Sequence, residues 1–168
     1  MEDTFICRIA TLEDMELKWE YEIARHSDDP GNWIVWKEGA LANRREGRTL
    51  PYYGILNGEI ICEATAFIRP DPDEDAEGLI DEKTAYLCAF RTNPPYRGKG
   101  YFSKLFAYMI ENLRGRGYER VTVGVEPDEV VNKQIYAHYG FTEFLKTDTE
   151  TYPDGTVIEV EYYAKKLC

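Results

Sequence analysis

Apolar and polar positions change period several times along the chain, and each change marks an element. Phe5 to Ile9 alternates as a strand does, and Thr11 followed three residues later by Asp14 reads as the capping box of a helix running towards His26. Ser27-Asp28-Asp29-Pro30-Gly31-Asn32 breaks that helix, and Trp33, Trp36, Ala40, Leu41 and Arg44 predict a second one ending near Gly47. Leu50–Leu56 and Glu59–Ile68 flank Asn57-Gly58, a dipeptide that supplies both positive φ angles of a type I′ turn, and so form an antiparallel hairpin. Thr84–Thr92 is a further strand, stopped by Asn93-Pro94-Pro95 because proline cannot donate to a ladder.

Phe102, Leu105, Phe106, Met109 and Leu113 share one face of a helix from about Gly100 to Arg114, which exits at Gly115 and Gly117. Glu119–Val125 then sets Val121, Val123 and Val125 on one face of a strand, so this strand–helix–strand unit should be parallel and right-handed. Pro127 closes it, and Asp128 is the expected cap of a helix that carries Tyr136 and stops at Gly140. Phe141–Thr149 and Thr156–Leu167 predict a last hairpin around Pro153-Asp154-Gly155. The order is β-α-α-β-β-β-α-β-α-β-β, an α/β chain without repeat or linker, so residues 1–168 read as a single domain.

Composition narrows the partners. A chain of 168 residues can bury a sizeable core, and a net charge of -11 repels nucleic-acid backbones and anionic membranes while suiting a cationic small molecule or protein tail. No apolar run is long enough to cross a bilayer, and Met-Glu-Asp-Thr-Phe lacks the basic and apolar regions of a signal peptide, so a cytoplasmic location is expected. Cys7, Cys62, Cys88 and Cys168 show neither metal-ligand nor dense disulfide spacing and read as reduced thiols, Cys62 and Cys88 in the core. Only His26 and His138 exist, which argues against a Ser-His-Asp or zinc-histidine site, and no metal is expected. The carboxylates of Pro70–Glu82 do not match a calcium loop and predict a solvated, mobile connection.

The chemistry lies in Arg97-Gly98-Lys99-Gly100-Tyr101-Phe102. Two glycines let successive amides point into one concavity, and the first turn of the following helix adds its own unpaired N–H groups, so a diphosphate fits. The offsets match neither a dinucleotide-binding fingerprint nor a Walker A loop. The stretch resembles the acyl-CoA-binding motif Gln/Arg-x-x-Gly-x-Gly/Ala of the GCN5-related N-acetyltransferase (GNAT) family, with Phe102 standing where that motif has a small residue. Asn132 to Phe141 is similar to the family's later helix, which ends in a tyrosine four residues before Gly-Phe; Tyr136 is in that place, and Asn132 lies one turn before it, where the family asparagine lies about two turns before.

The resemblance implies the acyl-CoA N-acyltransferase fold, a mixed, twisted sheet with helices on both faces. It also implies acetyl-CoA as co-substrate, its pyrophosphate on the amides from Arg97 to Phe102, its pantetheine beside Phe90-Arg91-Thr92, and Asn132 as a further contact. Tyr136 would protonate or hydrogen-bond the departing thiolate. Glu126, just past its strand, is the expected base, with Glu63 in reserve. By family analogy His26, Trp33, Trp36 and the Pro153-Asp154-Gly155 turn line the acceptor side. The reading is an acetyl-CoA-dependent N-acetyltransferase acting on a primary amine of a small molecule or peptide. A non-catalytic acyl-CoA-binding regulator, an unrelated interaction module and O-acyl or longer-acyl transfer remain as alternatives, and the pattern does not decide between a monomer and a homodimer.

Overall fold

A computed structural model describes residues 2–167, so Cys168 lies outside the described residues. Strands β1 (Phe5–Ile9), β2 (Thr49–Leu56), β3 (Glu59–Phe67), β4 (Thr84–Thr92), β5 (Arg120–Val125), β6 (Glu143–Thr151) and β7 (Val157–Lys166) form one sheet in the order β1-β2-β3-β4-β5-β7-β6. Helices α1 (Leu12–Arg25) and α2 (Pro30–Arg45) follow β1, α3 (Tyr101–Gly115) joins β4 to β5, and α4 (Val130–His138) follows β5. Among the described residues only β4 and β5 pair in parallel, as the strand–helix–strand reading requires. The architecture is the one the resemblance implies, a mixed sheet with helices on both faces.

Successive residues of β2 show how the layers form. Tyr52 packs with Leu105, Phe106, Met109 and Leu113 of α3, whereas Tyr53, on the opposite face, packs with Met15 and Trp19 of α1 and Leu41 of α2. Every residue of β2 is therefore buried, as expected for a strand covered on both faces. Thr11 and Asp14 form the expected capping box, and Asn57 and Gly58 take φ angles of 50° and 87° in the hairpin turn.

Several expectations are corrected. α2 begins at Pro30, because proline is tolerated in a first turn where its missing N–H would be unpaired, so the break after α1 is shorter than the residue types suggest. Asp128 does not cap α4; Glu129 occupies that position without a side-chain cap bond. Phe141 is not in β6, because its N–H closes α4 onto the Tyr136 carbonyl at 3.0 Å while Gly140, at φ 99°, donates to Ala137 at 3.0 Å. This pair of bonds is a Schellman motif and fixes Tyr136 and Phe141 beside each other. The acidic Pro70–Glu82 connection is anchored at its end: Leu79 is buried against Val160 and Tyr162, and its carbonyl accepts from Thr122 Oγ1 at 2.9 Å.

Burial pushes the Cys62 and Cys88 thiols up to about 12. The fold thus keeps protons that the unfolded chain releases, so stability is complete below the ordinary thiol range and declines as pH rises from about 9 towards about 12. Urea denaturation at neutral pH and at about pH 10.5 should show a lower midpoint at the alkaline value.

Candidate active site

After β4 the chain makes a short 3-10 turn, Pro94–Tyr96, and enters the glycine loop. Gly98 and Gly100 sit at φ 73° and 83°, and Gly100 is the N-cap of α3. Only glycine holds such angles without strain, and a Cβ at either position would meet no protein atom within 4 Å, so backbone conformation and not crowding requires them. Among the described residues no protein acceptor takes the amides from Gly98 to Ser103; the first amide of α3 to find one is that of Lys104, on the Gly100 carbonyl at 3.3 Å. The loop is held open from beside, where Arg97 Nε donates to the Thr92 carbonyl at 3.0 Å.

The end of β4 is equally unpaired. Its parallel register with β5 runs from Thr84↔Arg120 to Leu87↔Val123 and stops, although both strands continue. On the other side β4 pairs with β3 through Thr65↔Cys88 and Glu63↔Arg91, so two residues, Ala89 and Phe90, oppose Ala64 alone. Ala89 takes φ 56°, which costs a non-glycine residue about 1–2 kcal/mol. Such a bulge bends its strand and increases the local twist, which turns β4 away from β5.

The loop and the freed edge open on one cleft of about 730 Å³. It brings together Phe90, Arg91, Thr92, Arg97, Gly98, Gly100, Tyr101, Phe102, Asn132 and Tyr136. Lys99 and Glu126 stand outside the lining. Phe102 departs from the small residue of the motif because its ring turns away from the loop into an aromatic cluster, 5.2 Å from Phe90 and 6.0 Å from Tyr139 between centroids. Asn132 donates from Nδ2 to Glu129 Oε2 at 3.1 Å, a bond within its own helix.

Tyr136 stands edge-on to Phe90 at 5.7 Å, and among the described residues its hydroxyl has no hydrogen-bond partner. Burial first, then the charges of Glu129 and Cys88, push its phenol up to about 12, so it stays protonated. The Glu126 carboxyl is raised by burial and by the neighbouring Glu129 and Asp128.

At the α1 end of the cleft lie residues that the sequence reading did not select. Asp14, Met15, Lys18, Trp19 and Glu22 are the buried face of α1, and Lys18 and Glu22 are only 2% and 1% exposed. Lys18 Nζ donates to Glu22 Oε1 and to Asn93 Oδ1, both at 2.7 Å, and lies 3.6 Å from Glu63 Oε2. Glu63 Oε1 in turn lies 3.2 Å from Arg91 Nη1. The available signal was a pair of ionisable residues at helical spacing on the same face as Met15 and Trp19. His26 and Trp33 line the cleft, their rings stacked at 3.8 Å. Trp36 and the 153–155 turn do not; they dock on each other's elements through Trp36–Tyr152 at 5.2 Å and paired Asn32–Asp154 bonds of 3.0 and 3.1 Å.

Comparison with known proteins places this geometry in context. A model described as the acetyltransferase (GNAT) family matches residues 8–141. A [ribosomal protein bS18]-alanine N-acetyltransferase of Haemophilus ducreyi is 23% identical over 88% of this chain and 92% of its own. The crystal structure of the ribosomal-protein-S18-alanine N-acetyltransferase of Escherichia coli superposes with a TM-score of 0.70 at 18% identity, covering 98% of this chain and 94% of that one. A Salmonella typhimurium acetyltransferase solved with its cofactor acetyl-CoA gives 0.65 at 17% identity, covering 98% and 94%.

The residues suit acetyl-CoA: unpaired amides face the cleft, and the space beside both glycines is open. Gly98→Ala and Gly100→Ala should each cost about 1 kcal/mol of stability through the positive φ. By re-aiming the amides they should also weaken acetyl-CoA binding roughly tenfold or more, as the loss of hydrogen bonds to a charged group predicts. Calorimetric titration beside thermal denaturation separates the two effects.

Proposed function

We propose, from the premise that this chain belongs to the acetyltransferase (GNAT) family, that it transfers the acetyl group of acetyl-CoA to a primary amine of a small molecule or peptide. The observation that carries this reading is the meeting of two sets of unpaired backbone groups, the edge of β4 beyond Leu87 and the amides from Gly98 to Ser103, in one cleft. The Haemophilus relative is named for acetylating the nitrogen of an alanine, which supports nitrogen as the accepting atom.

When bound, acetyl-CoA supplies a thioester carbonyl for the amine to attack. The loop amides hold the diphosphate with the positive end of the α3 dipole behind them, and Arg97 and Lys99 add charge at the rim. The freed edge of Cys88–Thr92 aligns the amide-bearing arm, and an N–H of that segment stabilises the carbonyl oxygen as negative charge grows on it. Tyr136 donates a hydrogen bond to the departing sulfur. With its phenol near 12 and a thiol at ~8.5, complete proton transfer is uphill by about 5 kcal/mol, so Tyr136 acts as a hydrogen-bond donor and not as a full acid.

The amine must reach the carbonyl unprotonated. Of the expected bases, Glu126 stands outside the lining, and Glu63 is enclosed behind Arg91 and Lys18. His26 faces the cleft and its Nδ1 lies 2.8 Å from the Glu22 carbonyl. A carbonyl can only accept, so Nδ1 carries the proton and Nε2 is left with the lone pair that takes one from the amine.

Release of free thiol from acetyl-CoA across a panel of primary amines tests the reading; acetyl-CoA binding without turnover of any amine would exclude transfer. Tyr136→Phe should lower kcat by roughly 10²-fold while the acetyl-CoA Kd stays within about twofold, as loss of one hydrogen-bond donor to developing negative charge requires.

A further inference from the structure

We propose that the acceptor is an amine that also carries a carboxylate, an amino-acid-type molecule, and that Arg25 and Arg91 take this carboxylate at the α1 end of the cleft. The inference rests on the acetyl-transfer reading and names the substrate class for it.

The charges at that end form an alternating row. Arg25 Nη1 lies 3.5 Å from Glu22 Oε2, Glu22 Oε1 accepts from Lys18 Nζ at 2.7 Å, Lys18 lies 3.6 Å from Glu63, and Glu63 lies 3.2 Å from Arg91. The row has a cation at each end and one cation in surplus, within a chain whose net charge is -11. Its two carboxylates are sealed inside: Oε2 of Glu22 and of Glu63 are buried without hydrogen-bond partners. The guanidinium ends are the accessible part, with the Arg25 and Arg91 side chains 33% and 26% exposed, and both residues line the cleft. A cationic acceptor, which the acidity of the whole chain would suggest, therefore meets positive charge here.

Each guanidinium has donors to spare. Arg91 Nη1 is buried beside Glu63, but a guanidinium carries five N–H donors, and among the described residues the Nε and Nη2 donors of Arg91 meet no protein acceptor. A single negative charge balances the surplus and favours a carboxylate over a doubly charged phosphate. The Arg91 guanidinium is 5.1 Å from the centre of the Trp33 ring, which is stacked on His26. An acceptor anchored by its carboxylate has its amine beside the His26 base and its side chain against the indole.

The experiment compares three sets of acceptors with acetyl-CoA and wild-type protein: amino acids, the amines that lack the carboxylate, and the amino-acid amides. Amino acids should react with kcat/KM at least tenfold above both counterparts. Arg25→Gln, at the partly exposed end of α1, should raise KM for the amino acid at least tenfold and erase its advantage without moving the acetyl-CoA Kd. Equal or faster reaction of the carboxylate-free amines, or no reaction of any amino acid, overturns the assignment. The other acceptors tell the failures apart: turnover of any carboxylate-free amine leaves the acetyl-transfer reading standing, and acetyl-CoA binding, read as heat on titration, without turnover of any amine removes both.

Discussion

Beyond Leu87 and Val123 the parallel pair at the centre of the sheet stops exchanging hydrogen bonds, and each backbone group so released must find another partner or remain wet. The two residues set against Ala64 turn β4 aside, and the gap they open runs to a loop whose own amides are unpaired. The proposed function sets a co-substrate with amides along its arm and phosphates at its end against those groups in the same order. What would be a defect in a purely structural sheet is here one wall of the cleft, and Ala89 carries its local strain.

A second constraint ties this gap to the opposite wall. Lys18, Glu22 and Glu63 are almost wholly buried, and charges in such surroundings persist only when paired, since an isolated one costs several kcal/mol. Asn93 is the joint: its side chain accepts from Lys18 at 2.7 Å and donates to the Ile60 carbonyl at 3.1 Å, while its N–H donates to Ile61 at 2.8 Å. It is also the residue at which β4 gives way to the glycine loop. The entry to the glycine loop and the α1 wall of the cleft are thus joined through one buried network.

What the sequence revealed was mostly what a few neighbouring residues decide. Asn57-Gly58, Thr11 with Asp14, and Gly98 with Gly100 satisfy their geometry locally, and each was legible together with the element it begins or ends. The element order and the strand–helix–strand unit followed from these punctuation marks and from period. Phe102 was recognised as a departure but could be explained only by rings contributed from β4 and α4. Lys18 and Glu22 escaped notice because charged residues on a helix normally read as its wet face, and Lys18's partner Asn93 is 75 residues away. Leu79 was hidden in an acidic run whose charge, not its one buried anchor, dominates the pattern. Asp128 had the right residue type for a cap, one position too early.

The joining of Asn32 to Asp154, across 122 residues of sequence, has a mechanical meaning. α2 is seated through Leu41, Trp33, Trp36 and Ala40 on the α1–β2 cluster, and this clasp with the tip of the β6–β7 hairpin holds its N-terminal end as well. The hairpin acts as a strut from the far edge of the sheet. A change at that tip therefore reaches the Trp33 wall of the cleft through side-chain contacts that bypass the strands between them.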